Sequence, residues 1–103
     1  MTGIAKAWVQ FTGSTGTVNS SFNVSSITRA AAGKYTINFT TTMPNANYCG
    51  AFACGFSGAG IPSIFNEAWN GTRTTSAYQV EVQNYNSTAS VDPQFACVSV
   101  FSS

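Results

Sequence analysis

The sequence predicts an all-β fold: an antiparallel β-sandwich, jelly-roll-like, of six to eight short strands. Three observations carry this. Polar and apolar residues alternate with a period of two in several stretches. Turn residues recur between those stretches at steady spacing. No segment repeats its apolar residues at helical spacing. Residues 1–103 read as one domain, with no internal repeat and no linker.

The elements follow in chain order. In Ile4–Phe11, Ala5, Ala7, Val9 and Phe11 share one face, and Ile4, Lys6, Trp8 and Gln10 the other, which predicts a strand. Thr12–Thr17 is rich in Gly, Ser and Thr and reads as a loop. Phe22, Val24 and Ile27 start the next strand, with a slip in alternation at Ser25-Ser26 that a β-bulge would repair. Arg29–Gly33 is the predicted hairpin loop, Gly33 its left-handed residue. Lys34–Thr40 alternates most cleanly, with Tyr35, Ile37 and Phe39 on one side. Met43–Asn47 is a Pro-bearing exit. Phe22–Tyr48 thus reads as a hairpin followed by a sharp turn, and the rest of the chain is organised around it.

Tyr48–Phe56 is apolar on both faces and predicts a strand covered on both sides. Ser57–Ser76 is irregular yet holds Ile61, Ile64, Phe65 and Trp69, which suits a functional or partner-packed loop. Ser76–Asn84 alternates again, with Tyr78, Val80 and Val82 inside. Tyr85–Pro93 is a polar turn region. Gln94–Ser102 is a last strand with Ala96, Val98 and Val100 on one face and Phe95, Cys97 and Phe101 on the other. Such a strand is central in its sheet or lies against another subunit.

Composition narrows the function. Charged residues are 7% of the chain, hydrophobic residues 44% and aromatic residues 14%, so the chain folds but carries a weakly charged surface that repels its own copies poorly. The net charge is +1 and the four basic residues are scattered, which argues against nucleic-acid binding. No apolar run is long enough to span a membrane. Met1–Lys6 lacks the charged head and apolar core of a signal peptide, which fits synthesis in the cytoplasm or a domain cut from a longer chain. Cys49, Cys54 and Cys97 are an odd set. They read as reduced core thiols, with a pairing of Cys49 or Cys54 to Cys97 left open.

Chemistry is sparse. There is no histidine, and Glu67, Glu81 and Asp92 are the only carboxylates. Ser and Cys nucleophiles have no evident base, and three distant acids do not fill a metal shell. The sequence therefore predicts no enzyme, no cofactor and no metal. The five N-x-S/T patterns follow from a composition rich in Asn, Ser and Thr. Aromatic and amide side chains on polar backgrounds are the ligand or interface candidates: Trp69, Arg73, Asn66, Tyr78, Tyr85 and Phe101. Trp8, on the Lys6/Gln10 face, poses the same question.

Ala5–Phe11, Ser21–Thr28 and Gly33–Tyr48 resemble a module of tailed-bacteriophage virion proteins. Its pattern runs A-K-A-W-V-x-F, then S-F/Y-N-V-S-S-I-T, then G-x-Y-T-V-N-F-T-T-x-M-P-N-A-N-Y. The likeness covers the first half of the chain closely and the second half only in character. It implies a tail-fibre, head-fibre or capsid-decoration domain: a non-enzymatic structural protein on the particle surface, homotrimeric, contacting other capsid or tail proteins. The lack of a fibre shaft also fits a small separate knob or decoration protein. The competing expectations are a carbohydrate-binding module that reads a host surface glycan, and an adhesion or scaffold domain of a bacterial surface protein.

Overall fold

A computed structural model describes residues 4–55, 63–67, 73–84 and 89–102. Among the described residues there are eight strands: β1 (Ala7–Thr12), β2 (Thr17–Phe22), β3 (Val24–Ala31), β4 (Lys34–Phe39), β5 (Cys49–Cys54), β6 (Ser63–Glu67), β7 (Ala77–Asn84) and β8 (Phe95–Phe101). They form two four-stranded sheets, ordered β2-β1-β8-β5 and β3-β4-β7-β6. Every neighbouring pair is antiparallel. The fold is the expected all-β sandwich. Successive strands pair within a sheet at β1–β2, β3–β4 and β6–β7 rather than alternating between sheets, so hairpins are its building unit.

The period-two faces meet in the middle. Ala7, Val9 and Phe11 of β1 and Ala96, Val98 and Val100 of β8 line the first sheet; Tyr35, Ile37 and Phe39 of β4 and Tyr78, Val80 and Val82 of β7 line the second. All twelve are buried, and Val24, Met43 and Tyr48 join them. A run of edge-on rings threads this layer. Phe39 meets Tyr48 at 5.7 Å between centroids, Tyr48 meets Tyr78 at 5.1 Å, and Phe11 meets Tyr35 at 4.9 Å. Edge-to-face pairs at these separations add to plain area burial. Gly50 of β5 gives the Tyr78 ring its space, since a Cβ there would lie 2.7 Å from the ring.

Several sequence expectations are corrected. Thr17–Phe22 is a strand, where a loop and an unassigned stretch were expected. Its burial is low throughout, so it shows no alternation to read. Phe22 ends β2 in the first sheet, opposite Trp8, and is not the start of the hairpin. Asn23, at φ 58°, turns the chain into the second sheet. Its side chain holds the corner, donating to the Lys6 and Thr41 carbonyls and accepting from the Thr41 N–H at 2.7 Å. Asn tolerates this left-handed conformation better than most residues.

The bulge at Ser25-Ser26 is present, between Val24 and Ser26, and a second one lies between Arg29 and Ala31. The second lets β3 continue through Ala31, so the loop shortens from Arg29–Gly33 to Ala32-Gly33. β5 is an edge strand with Cys49, Ala51 and Ala53 exposed, not a strand covered on both faces. Its apolar character comes from small residues, which lose little when left wet. Within the stretch expected to be irregular, β6 pairs with β7 from Ser63↔Asn84 to Glu67↔Val80. β8 is central, between β1 and β5, which is one of the two placements expected for it.

All three cysteines are free. Cys49 stands opposite Phe101, Cys54 opposite Ala96, and Cys97 opposite Ala53. No two of them are paired in the β5–β8 register, so the Cys97 pairings left open by the sequence are not formed. Only Cys54 packs on the core, while Cys49 is exposed, so the expectation of three core thiols is corrected too.

Two substitutions test this account by denaturant unfolding. Phe39→Ala should cost about 3–5 kcal/mol as a large-to-small core change. Gly33→Ala should cost about 2 kcal/mol or more. Gly33 sits at φ 72° and its added Cβ would meet the Val82 and Val91 carbonyls at 2.5 and 2.6 Å.

Candidate interaction surfaces

The outer faces of the two sheets differ in chemistry. On β4, Lys34, Thr36 and Asn38 point away from the core, and on β7 so do Gln79, Glu81 and Gln83. Across β3 and β4, Ser26 and Thr28 are linked by the Asn38 amide at 3.1 and 3.0 Å. The β3–β4 part of that face is hydrogen-bonded, the face bears charge of both signs, and the Gln79 side-chain oxygen on β7 is buried without a partner among the described residues.

The outer face of the first sheet is mixed: Asn19 donates to Gln10 and Thr12 across β2 and β1, and exposed aromatic residues lie beside them. Trp8 is 39% exposed, Phe22 54% and Phe95 47%. β8 adds half-buried Cys97 and Phe101, and β5 adds exposed Ala51 and Ala53. The strands place no carboxylate on this face. The registers Trp8↔Phe22, Trp8↔Ser99 and Ala51↔Ser99 set four residues in one row: Phe22, Trp8, Ser99, Ala51. Single exposed apolar residues are ordinary on proteins, whereas a contiguous patch marks a contact surface.

The sequence candidates are scattered. Trp69 and Tyr85 lie outside the described residues. Asn66 is in β6, opposite Glu81 of β7. Phe101 ends β8, half-buried on the outer face of the first sheet. Tyr78 is wholly buried, so its ring offers no face to a sugar; its assignment as a ligand residue is corrected to a core one. Arg73 bridges Tyr78 in the backbone and lays its guanidinium 5.0 Å from the Tyr48 ring centroid and 5.6 Å from that of Tyr78. It also donates to the Ala46 and Tyr48 carbonyls. This cation roofs the aromatic layer and ties the exit loop to the start of β7. Burial pushes the phenols of Tyr48 and Tyr78 up to about 12, against the opposing pull of Arg73. Trp8 and Phe22 were the residues that sequence reasoning underweighted. The signal was the alternation of β1, which put Trp8 outside.

One polar cluster joins distant parts of the chain. Asp92 accepts from the Arg29 guanidinium, from the Gly33 N–H at 2.9 Å and from the Tyr35 hydroxyl at 2.7 Å. The single Tyr35 proton also lies within reach of the Gly13 carbonyl, 2.7 Å away. Burial alone would raise the Asp92 carboxyl. The hydrogen bonds from Arg29, Gly33 and Tyr35 and the Arg29 charge outweigh that and hold it below its ordinary 3.8. Burial and the neighbouring carboxylate drive the Tyr35 phenol far upward, so it stays a proton donor. The arrangement is a clasp that ties the β3–β4 turn and the first hairpin to the segment before β8. Among the described residues no group of His, Cys, Asp and Glu gathers to hold a metal ion, and no helix is long and apolar enough to cross a membrane.

Comparison with protein-family models, with curated proteins and with solved structures finds no match to this chain.

The clasp makes stability depend on pH. Because the folded carboxyl is held below 3.8, its contribution is complete above that value and is lost as pH falls through the folded one. Thermal unfolding followed by circular dichroism should show a falling Tm as pH drops below about 4. In Asp92→Asn that dependence should flatten, at a cost of about 1–3 kcal/mol at neutral pH from donors left without a carboxylate.

Proposed function

We propose that this chain is a non-enzymatic structural protein of a phage virion, a fibre, knob or capsid-decoration domain that assembles as a homotrimer on the particle surface. The exposed aromatic pair on the first sheet carries the reading: Trp8 and Phe22 stand side by side on its outer face, and its strands place no carboxylate there. Such a pair suits a domain that works by surface contact. Two further facts support it. Charged residues are only 7% of the chain, which leaves little repulsion between copies. Ala5–Phe11, Ser21–Thr28 and Gly33–Tyr48 resemble the virion module described above, and in this fold they supply β1, the β2–β3 corner and the β3–β4 hairpin, the framework of both sheets. Other capsid or tail proteins are the remaining partners in this reading, and a host surface glycan is the partner in the alternative one.

Light scattering on purified protein at micromolar concentration should give three times the monomer mass of 10.8 kDa; a monomer there would end the trimer reading. Antibody raised to the chain should decorate purified particles of the encoding phage. A strong glycan-array signal with undecorated particles would favour the carbohydrate-binding alternative.

A further inference from the structure

We infer that the outer face of the first sheet is a contact site for a neutral glycan, with sugar rings laid on Trp8 and Phe22 and sugar hydroxyls met by Gln10, Asn19 and Thr12. This goes beyond the structural role proposed above and does not depend on it.

The arrangement begins with a bulge. β2 pairs with β1 at Trp8↔Phe22 and Gln10↔Ser20, then shifts so that Phe11 meets Val18. Asn19 is the extra residue. Its side-chain amide donates to Gln10 Oε1 at 3.0 Å and to Thr12 Oγ1 at 3.3 Å. Both amide protons are thereby committed across β1, which fixes the orientation of Asn19 and Gln10 together. Asn19 Oδ1 remains an acceptor, Gln10 Nε2 keeps two protons to give, and the Thr12 hydroxyl keeps one. None of the three meets another partner among the described residues. Polar groups held on strands in this way lose little freedom when a ligand arrives.

The rings lie next to this row. Trp8 and Phe22 are directly opposite each other and both exposed. Trp8 precedes Gln10 by two residues, about 7 Å along the strand. A sugar has the same two-sided chemistry, with C–H groups on its ring face and hydroxyls around its rim that both donate and accept. The aromatic pair suits the face and the fixed amides suit the rim. An aromatic pair by itself would take any apolar partner; the amide row selects a polyhydroxylated one.

Charge selects among glycans. The strands of this sheet, β1, β2, β5 and β8, contain no charged residue. A sialylated or sulfated chain therefore gains no ion pair from them. The site is a sheet face that grips a ligand from one side, so a single contact is weak. A chain of several sugars gains more. Phe95, exposed and opposite Thr12, lies about 14 Å from Trp8 along the strand direction and offers a third ring.

Labelled protein on a printed array of neutral, sialylated and sulfated glycans tests this, because dense display adds weak contacts together. Signal should appear on neutral glycans and persist as salt is raised. Trp8→Ala should lower it at least about tenfold with β circular dichroism and Tm retained. Gln10→Ala and Asn19→Ala should lower it severalfold, and Thr28→Ala on the second sheet should leave it unchanged. If Trp8→Ala unfolds, Phe22→Ser tests the rings in its place. No signal on any neutral glycan overturns the inference, as does a signal confined to charged glycans or one that survives loss of the ring. Loss with Trp8→Ala but none with Gln10→Ala and Asn19→Ala overturns it also, since a bare aromatic patch would then suffice. Trimer mass and particle labelling are read separately, so either reading can fail while the other stands.

Discussion

Tyrosine is an awkward residue to bury: its ring belongs in an apolar layer and its hydroxyl needs a partner. This fold commits Tyr35, Tyr48 and Tyr78 to a small core, and much of the surrounding chain is arranged to receive them. The Tyr35 hydroxyl fixes Gly13 of the first hairpin and Asp92 of the segment before β8. The Tyr48 hydroxyl reaches the Thr74 and Ala77 carbonyls at 2.7 and 3.0 Å, which seats the entry to β7. A buried polar group without a partner costs as much as a core cavity, so these loops are bound by the same requirement that fills the core. Gly33 completes the pattern. Its N–H serves Asp92 and its carbonyl accepts from Val82 at 2.8 Å.

The sequence was most legible where a strand has one dry and one wet face. β1, β4 and β7 show period-two alternation because their inner residues are buried and their outer ones are not. The bulge at Ser25-Ser26 was legible for the same reason, since a slip in alternation can only be absorbed by an extra residue. β2 was not legible. It is an edge strand whose residues stay exposed, so burial imprinted no period on Thr17–Phe22. β5 misled in the other direction: alanine and cysteine read as core residues but are small enough to stand exposed at an edge.

The candidate surface was half legible. Trp8 was placed on the outer face, but Phe22 was taken as the opening of a core strand. Only the corner at Asn23 reveals that Phe22 belongs to the other sheet. The role of Asp92 was hidden because its donors lie 57 to 63 residues away in sequence. Its neighbour Pro93 made it look like a simple turn residue. Tyr78 carried the right chemistry for a ligand and the wrong position. The Trp8–Phe22 pair and the Asp92 clasp lie on different parts of the sandwich.

The central place of β8 carries a kinetic consequence. β1 pairs with it from Ala7↔Val100 to Thr12↔Phe95, a separation of more than eighty residues. Until residues 95–101 arrive, β1 has only the exposed β2 beside it, and β5 has no strand to pair with at all. The second sheet gathers from closer parts of the chain, β3 with β4 and β6 with β7. Its hairpins can form early, while the first sheet must wait for a long loop to close. During that wait Trp8 and Phe22 sit on a hairpin with an open edge, and Ala51 and Ala53 on an unpaired strand, with no charge among them to keep neighbouring chains apart. That exposed aromatic surface is then, for a time, where nascent copies are most prone to stick.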